Sequence, residues 1–287
     1  MARVQKTFPS FKRGNRKDVV TLFDSVGEFA DAVQADGSGA ERRGGGWAGN
    51  DDLDTTIRKC RTGDLARAAS SDEYMSKLEN KFVFESSAFR NVDALTGGVP
   101  NVGAFLAGNP MNMRQRRRVQ TEAAPLNIVI DVVSSGGIES RDLERRGAAL
   151  LALVRLLSAQ RPVNLWVAAS ALPYSATSTH TASAVAFRVD TAPLDLARAA
   201  HVLCSTGVAR QMAYGFVSHQ VGAPNGELHW PYDDHEFSRQ RGAEFWQRAF
   251  GMEEMLFIAP PFVKDEMIQQ PEKWLTDMLA KYGRAAE

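Results

Sequence analysis

The segment that most constrains the fold is a nearly unbroken apolar run, LNIVIDVV, at residues 126–133. It predicts a strand covered on both faces, because a half-exposed strand would alternate apolar and polar side chains. Apolar residues at helical spacing over 142–160 predict a helix, which Pro162 ends, and residues 163–169 (VNLWVAA) predict a second buried strand. Together these segments form a β-α-β unit, the building block of sheets that carry helices on both faces.

Segments further along the chain extend this pattern. Residues 183–189 alternate like a third strand and residues 255–259 (MLFIA) suit a fourth, while residues 194–204 and 271–282 show helical spacing. We therefore predict an α/β fold with a mostly parallel open sheet, Rossmann-like or von Willebrand A-like in topology, over residues 120–287.

The N-terminal part has a different character. Residues 1–17 form a basic arm with six cations and no acid, and residues 18–119 form a mainly helical part. Ser25 and Glu28 have the spacing of a capping box, and Asp51 or Asp52 is suited to cap the next helix. The predicted division is therefore 1–17, 18–119 and 120–287, with one compact unit of the last two as the alternative.

Composition excludes several classes of protein. Lys and Arg number 34, as do Asp and Glu, so the formal net charge is zero and a globally basic nucleic-acid binder is excluded. The two cysteines are too few for a disulfide scaffold or a thiolate zinc site, and they fit a reducing compartment such as the cytoplasm. No apolar run approaches the roughly 20 residues of a membrane span, so we expect no membrane partner.

No catalytic motif stands out from the sequence. The chain has no Gly-x-Ser-x-Gly elbow, no dinucleotide-binding glycine motif and no phosphate-binding loop. Imidazoles and carboxylates crowd together over residues 229–236, but no pair of histidines has the i, i+4 spacing of a helical zinc site. We therefore predict that the protein is not an enzyme and uses no cofactor.

The loop after the first buried strand is the best candidate for a degenerate metal site. It carries Asp131, Ser134 and Ser135 at the edge of the sheet where ligands of open α/β folds bind. The loop resembles the metal-binding loop of von Willebrand A domains, which reads Asp-x-Ser-x-Ser. Val133 stands where the first hydroxyl should be, so this resemblance implies a protein-interaction adaptor with a weak metal site or none.

Positive charge is placed unevenly, and aromatic residues accompany it. Single-stranded nucleic acid requires cations that follow the phosphates and exposed aromatics on which bases stack. The arm and the run RQRRR at 114–118 supply these groups, with a glycine-rich segment around Trp47 as a third contributor. The predicted contact residues are Lys6, Phe8, Phe11, Lys12, Arg13, Arg42, Arg43, Trp47, Arg114, Arg116, Arg117 and Arg118.

Three segments resemble signatures of an uncharacterised protein family of tailed phages and related mobile elements. They are VPNVGAFLAGNPMNMR at 99–114, RGAALLAL at 146–153 and Trp47-Ala48-Gly49. In size and layout the chain is also similar to the single-stranded-DNA-binding RNA polymerase cofactor of lytic podoviruses.

The uncharacterised family has no assigned activity to carry over. The charge pattern, together with the second resemblance, predicts a single-stranded-DNA-binding protein that acts in transcription or replication in the cytoplasm of a bacterial host. The expected partners are single-stranded DNA, a phage RNA polymerase and further copies of the chain in a homo-oligomer. The alternatives are the von Willebrand A-like adaptor and a phage structural protein, in which the arm would clamp a neighbouring subunit.

Overall fold

The structure is a computed structural model, and it combines a seven-stranded sheet, flanking helices and a second, small sheet. It describes residues 4–9, 17–38, 49–79, 89–118, 125–134, 137–173, 183–220, 228–229, 235–261 and 264–282. No helix among these residues is long and apolar enough to cross a membrane.

Six strands of the main sheet lie in the order β1-β2-β8-β7-β6-β10, and β9 pairs with the end of β7. The predicted strands at 126–133, 163–169, 183–189 and 255–259 are all present in this sheet. The strand bounds are β1 (Val4–Pro9), β2 (Lys17–Phe23), β6 (Leu126–Asp131), β7 (Val163–Pro173), β8 (Ser183–Val189), β9 (Leu228–His229) and β10 (Leu256–Ile258).

The α/β class is confirmed, but the prediction of a mostly parallel sheet is wrong. β6 runs parallel to β7 and β10, and β2 runs parallel to β8, whereas β8 is antiparallel to β7 and β1 is antiparallel to β2. Only nine residues, 174–182, connect β7 to β8. A parallel connection needs a crossover of a dozen or more residues, so β8 returns in the opposite direction.

The pairing of β2 with β8 brings the N-terminal part into the same sheet as the C-terminal part. A strand of the predicted 18–119 part therefore lies in the sheet of the predicted 120–287 part, and the division into domains stays a prediction. The arm contributes β1, which adds to the sheet edge beside β2.

The main sheet buries apolar side chains on both of its faces. Ile128 and Ile130 of β6 belong to the larger core, which also includes apolar residues of the helices on that side. Val129, between them in sequence, belongs to a smaller core with Trp246. Alternate residues of one strand thus enter two cores, which explains the nearly unbroken apolar sequence.

The helices follow the predicted capping and spacing. The amide of Glu28 donates to Ser25 Oγ over 3.1 Å, and the amide of Thr55 donates to Asp52 Oδ1 over 2.7 Å. A π-helical segment, Val208–Ala213, precedes α7. The helix bounds are α1 (Val26–Asp36), α2 (Leu53–Thr62), α3 (Leu65–Glu79), α4 (Val102–Leu106), α5 (Ser140–Gln160), α6 (Leu196–Cys204), α7 (Tyr214–Gln220), α8 (His235–Phe250), α9 (Glu266–Gln269) and α10 (Pro271–Tyr282).

Residues 89–118 form a second sheet, which we call the small-sheet module. Its strands are β3 (Phe89–Ala94), β4 (Val99–Pro100) and β5 (Met113–Arg118), in the order β3-β5-β4, and α4 lies between β4 and β5 in the chain. The run of arginines predicted as a binding patch is therefore the central strand of this module.

Gly147 allows α5 and α6 to pack at very short range. A Cβ added at Gly147 would lie 2.6 Å from Cys204 Sγ and 2.7 Å from Cys204 Cα, and would also collide with the carbonyl oxygen of Leu203. Two of these three atoms belong to the backbone of α6, so the helices would have to move apart to admit a methyl group.

We expect Gly147→Ala to lower the free energy of unfolding by about 1–3 kcal/mol, the usual cost of overpacking a core. The loss should appear although alanine favours a helix over glycine by roughly 1 kcal/mol. Gly27→Ala is the matched control, since a Cβ at this helical glycine would lie 3.8 Å from Ser25 Oγ, an ordinary van der Waals distance. Urea denaturation that shows equal stability for both variants would contradict the close packing.

Candidate functional site

Asp131 lies in the interior at the carboxyl end of β6, where its carboxylate is held by the protein itself. It is 1% exposed, and its Oδ1 accepts a hydrogen bond from the amide of Val133 over 3.0 Å. Its Oδ2 accepts a bond from the Ser170 hydroxyl, at the end of the neighbouring strand β7, over 3.3 Å. Both oxygens of the predicted metal-site carboxylate therefore have partners within the protein.

Two buried arginines complete the polar network at this sheet edge. Arg146 of α5 donates to the carbonyl of Asp131 over 2.9 Å and to the carbonyl of Ala259, beyond β10, over 3.3 Å. Arg210 of the π-helical segment donates to Ser134 Oγ over 3.2 Å and to the carbonyl of Ile138 over 3.1 Å. A guanidinium thus lies against the hydroxyl that would help to bind a metal ion, while Ser135 lies outside the described residues.

A second polar cluster lies among the helices, at both ends of α2. Lys59 Nζ contacts Asp51 Oδ2 at 2.8 Å and Asp64 Oδ2 at 2.9 Å, so one ammonium group bridges two carboxylates. His201 of α6 is fully buried, with its Nδ1 3.8 Å from Asp64 Oδ2 and its Nε2 3.1 Å from the carbonyl oxygen of Thr56.

The chain folds this way locally because Asp64 begins α3 immediately after α2 ends. Its Oδ1 accepts the amide hydrogen of Arg67 over 3.1 Å, as a helix cap does, and this bond leaves Oδ2 to face Lys59 and His201. Gln211 of the π-helical segment contacts the cluster at the start of α2, where it donates to the carbonyl of Asp51 over 3.0 Å and accepts a hydrogen bond from the Thr56 hydroxyl.

A cavity of about 480 Å³ opens beside this cluster. Its lining includes the bridging trio of Lys59 and the two aspartates, together with the thiol-bearing Cys204. The remaining charged lining residues are Arg67, Arg141, Glu144 and Arg145. The cavity is therefore a charged one, and buried ionisable groups form one wall of it.

The pKa values of these groups depart from their ordinary values. Burial lowers the pKa of His201 to about 4, although the Thr56 carbonyl and the Asp64 carboxylate oppose that shift. Partial burial opposes ionisation of Asp64, but the Lys59 hydrogen bond, the Arg67 amide and the charges of both residues outweigh it and hold its pKa below the usual value. Burial raises the pKa of Cys204 to about 11, so this thiol is not a nucleophile at neutral pH.

The small-sheet module exposes apolar side chains to solvent. Phe105 is 66% exposed and Leu106 is 80% exposed, and both lie in α4. The other large exposed apolar residues of the module are Leu95, Val99, Val102 and Met111. We call these six residues the apolar patch.

The predicted nucleic-acid residues are distributed over different parts of the structure. Lys6 of β1 donates to the carbonyl of Ala249, near the end of α8, so this arm cation is used within the fold. Phe8 also lies in β1, and Arg114 in β5 is half exposed and lies 3.8 Å from Asp93. Arg116, Arg117 and Arg118 lie in β5 as well. Phe11, Lys12, Arg13, Arg42, Arg43 and Trp47 lie outside the described residues.

Sequence reasoning missed the cluster around Lys59. The sequence indicates only a helix-capping role for Asp51 and gives no signal for Asp64. One signal was available: His201 interrupts the apolar residues of α6, where a histidine must either find partners or remain unsatisfied in the interior.

The fold and these sites characterise a protein of α/β class with a buried polar sheet edge and a charged cavity between helices. The chain belongs to the family described as Domain of unknown function (DUF7192), whose pattern matches residues 5–244. No curated protein and no solved structure matches the chain. The family match covers the small-sheet module and the Lys59 cluster, and it assigns no activity to either.

The low pKa of His201 predicts how stability depends on pH. The unfolded chain takes up a proton on this residue near pH 6.5, whereas the folded protein resists protonation down to about pH 4. The stabilisation is therefore complete above pH 6.5 and is lost as pH falls to about 4, by about 3 kcal/mol in total.

The measurement is urea denaturation between pH 7 and pH 4 in a buffer that contains EDTA. His201→Gln keeps a donor for the Thr56 carbonyl but does not titrate, so its stability should fall less over this interval than that of the wild type. Identical pH profiles for the two proteins would show that His201 is not buried in its neutral form.

Proposed function

We propose that the protein is an adaptor that binds an acidic segment of a partner protein on the small-sheet module. The observation that carries this proposal is the concentration of exposed apolar residues in the module. Of the eight large apolar residues that are exposed in the described part of the chain, six lie within residues 95–111. Exposed apolar patches of this kind are typical of interaction surfaces.

The charge of the module selects the kind of partner. Residues 89–118 contain five arginines and one acidic residue, Asp93, so the module carries a formal charge of +4. A second copy of the same module would be repelled by this charge, whereas an acidic segment would be attracted to it. The favoured occupant therefore presents apolar side chains to the patch and carboxylates to the arginines of β5.

Single-stranded DNA is the rival occupant, because it is also anionic and the arginines of β5 are suited to phosphates. The composition of the apolar patch favours protein instead. Bases stack on aromatic rings, and Phe105 is the one aromatic residue among the six that form the patch. The other five are aliphatic, as is typical of surfaces that receive apolar side chains of a protein.

The loop after β6, which resembles the metal-binding loop of von Willebrand A domains, bears on whether the proposed adaptor needs a metal ion. β6, α5 and β7 form a β-α-β unit, with Asp131 and Ser134 at its carboxyl edge. At this edge Arg210 supplies positive charge to Ser134 where a metal-dependent adaptor would use a cation. We therefore propose that partner binding is independent of magnesium.

Two exposed leucines provide a matched test of the patch. Leu106 is 80% exposed within it, and Leu65 is 79% exposed at the start of α3, outside it. We expect Leu106→Asp, alone or with Phe105→Asp, to abolish capture of the partner from a bacterial extract, while Leu65→Asp captures it as the wild type does. A carboxylate in the patch both removes apolar contact and repels an acidic partner.

The captured partner is then titrated against the wild-type protein with and without magnesium and at 50 and 500 mM salt. Affinity should fall by about tenfold or more at high salt, since arginine contacts are screened, and it should not change with magnesium. Capture that survives Leu106→Asp and Phe105→Asp together would overturn the adaptor proposal.

The same proteins decide between the two occupants when they are titrated with a fluorescent 30-nucleotide oligo(dT). Adaptor function predicts no saturable binding at micromolar protein in low salt. Tight binding of the oligonucleotide that is lost in Arg116→Ala, Arg117→Ala and Arg118→Ala together, and captured material that is sensitive to nuclease, would establish DNA as the occupant instead.

A further inference from the structure

Three atoms of the types that bind metal ions converge in the helix cluster. A carboxylate oxygen of Asp51, a carboxylate oxygen of Asp64 and a ring nitrogen of His201 all lie within 4.8 Å of one another. His201 is fully buried and Asp64 is nearly so, whereas Asp51 is partly exposed beside the cavity. His201 and Asp64 are therefore held in the interior of the protein, while Asp51 is accessible from the cavity.

The orientation of the His201 ring also makes one of its nitrogens available as a metal ligand. Its Nε2 faces the carbonyl of Thr56, which can only accept, so Nε2 carries the hydrogen and Nδ1 presents its lone pair. Among the residues that the structure describes, Nδ1 has no hydrogen-bond partner, and it lies 3.8 Å from Asp64 Oδ2. A ring held by a backbone carbonyl through one nitrogen, with the other nitrogen left as a ligand, is the usual arrangement of metal-binding histidines.

A lone pair that faces a carboxylate in the interior is unfavourable unless a cation lies between them. Lys59 supplies one positive charge to the two aspartates, at 2.8 and 2.9 Å. The ammonium group only donates hydrogen bonds and carries a single charge. Arg67 Nε lies 3.7 Å from Asp64 Oδ2, but this guanidinium also pairs with Glu144 at 2.8 Å, so two cations face three carboxylates. A divalent ion would neutralise both aspartates and would also accept the lone pair of His201.

We propose that Asp51, Asp64 and His201 bind a divalent metal ion of the zinc class, and that Lys59 competes with the ion for the two carboxylates. One nitrogen and two oxygens are three protein ligands, which leaves a fourth position open towards the cavity. Zinc binds such ligands at about 2.0–2.2 Å, so the three atoms must move closer by roughly 1 Å, mainly through partly exposed Asp51. The displaced ammonium of Lys59 would remain in the same cavity, which Glu144 also lines.

The test is isothermal titration of the full-length protein with zinc chloride after dialysis against EDTA. We expect one equivalent to bind to the wild type, with binding at least about tenfold weaker in Asp64→Asn and in His201→Gln, which keeps a donor for Thr56. Lys59→Met should bind zinc at least about tenfold more tightly, because the ammonium that bridges the two carboxylates is then absent. A gain of affinity cannot result from misfolding, so this variant keeps the proposal falsifiable.

Two controls separate this site from other zinc ligands. His219→Gln removes an exposed histidine of α7, and Cys204→Ala removes the thiol that lines the cavity. Neither should change the affinity. Unchanged zinc binding in His201→Gln, loss of binding in Cys204→Ala, or no binding to either the wild type or Lys59→Met would overturn the proposal. Magnesium should bind much more weakly than zinc, since neutral imidazole is a poor ligand for it, and equal affinities would likewise overturn the assignment to the zinc class.

Discussion

The rest of the structure depends on the complete burial of β6. Its residues Ile128, Val129 and Ile130 are all inaccessible to solvent, and they enter two different cores. A strand of this kind needs neighbours at both edges and helices over both faces, which β7, β10, α5 and α8 provide. Burial also extends to its end, because Asp131 and the backbone beyond it are withdrawn from water.

That burial explains why two arginines lie in the interior. Buried carbonyl groups without hydrogen-bond partners cost free energy. Near this end of the sheet the carbonyls of Asp131, Ala259 and Ile138 accept hydrogen bonds from arginine side chains. Arg146 and Arg210 supply donors from a helix and from the π-helical segment, respectively. These side chains are therefore part of the fold, and they lie at the edge of the sheet where ligands of open α/β folds bind.

The sequence indicates those parts of the fold whose pattern is local. β6, α5 and β7 could be predicted because their apolar spacing is unbroken, and α1 and α2 because capping residues stand at the right distance from them. The direction of β8 could not be predicted from its alternation, which is the same for both directions; the short connection from β7 was the informative feature. β5 was missed as a strand because MRQRRR has almost no apolar pattern, and backbone pairing with β3 and β4 defines it.

The cluster around Lys59 could not be predicted from the sequence for a different reason. Asp51, Lys59, Asp64 and His201 have no regular spacing, and His201 is more than 130 residues away from the others in the chain. Their meeting depends on α2 and α6 packing against each other, a tertiary contact that no local pattern encodes. The π-helical segment contacts both polar regions: Gln211 donates to the carbonyl of Asp51 in the cluster, and the adjacent Arg210 donates to Ser134 at the sheet edge. The two polar regions are thus joined by consecutive residues.

The neutral charge of the chain conceals a strong separation of charge. Residues 1–17 carry +6 and the small-sheet module carries +4, so the remaining residues together carry −10. An acidic partner is therefore repelled by most of the chain and attracted by two segments, over distances of roughly 8 Å at physiological salt. In the arm, Lys6 already donates a hydrogen bond to the carbonyl of Ala249, near the end of α8. The small-sheet module combines positive charge with exposed apolar side chains, and the proposed binding of an acidic segment rests on this combination: charge would attract the segment and burial of apolar surface would retain it.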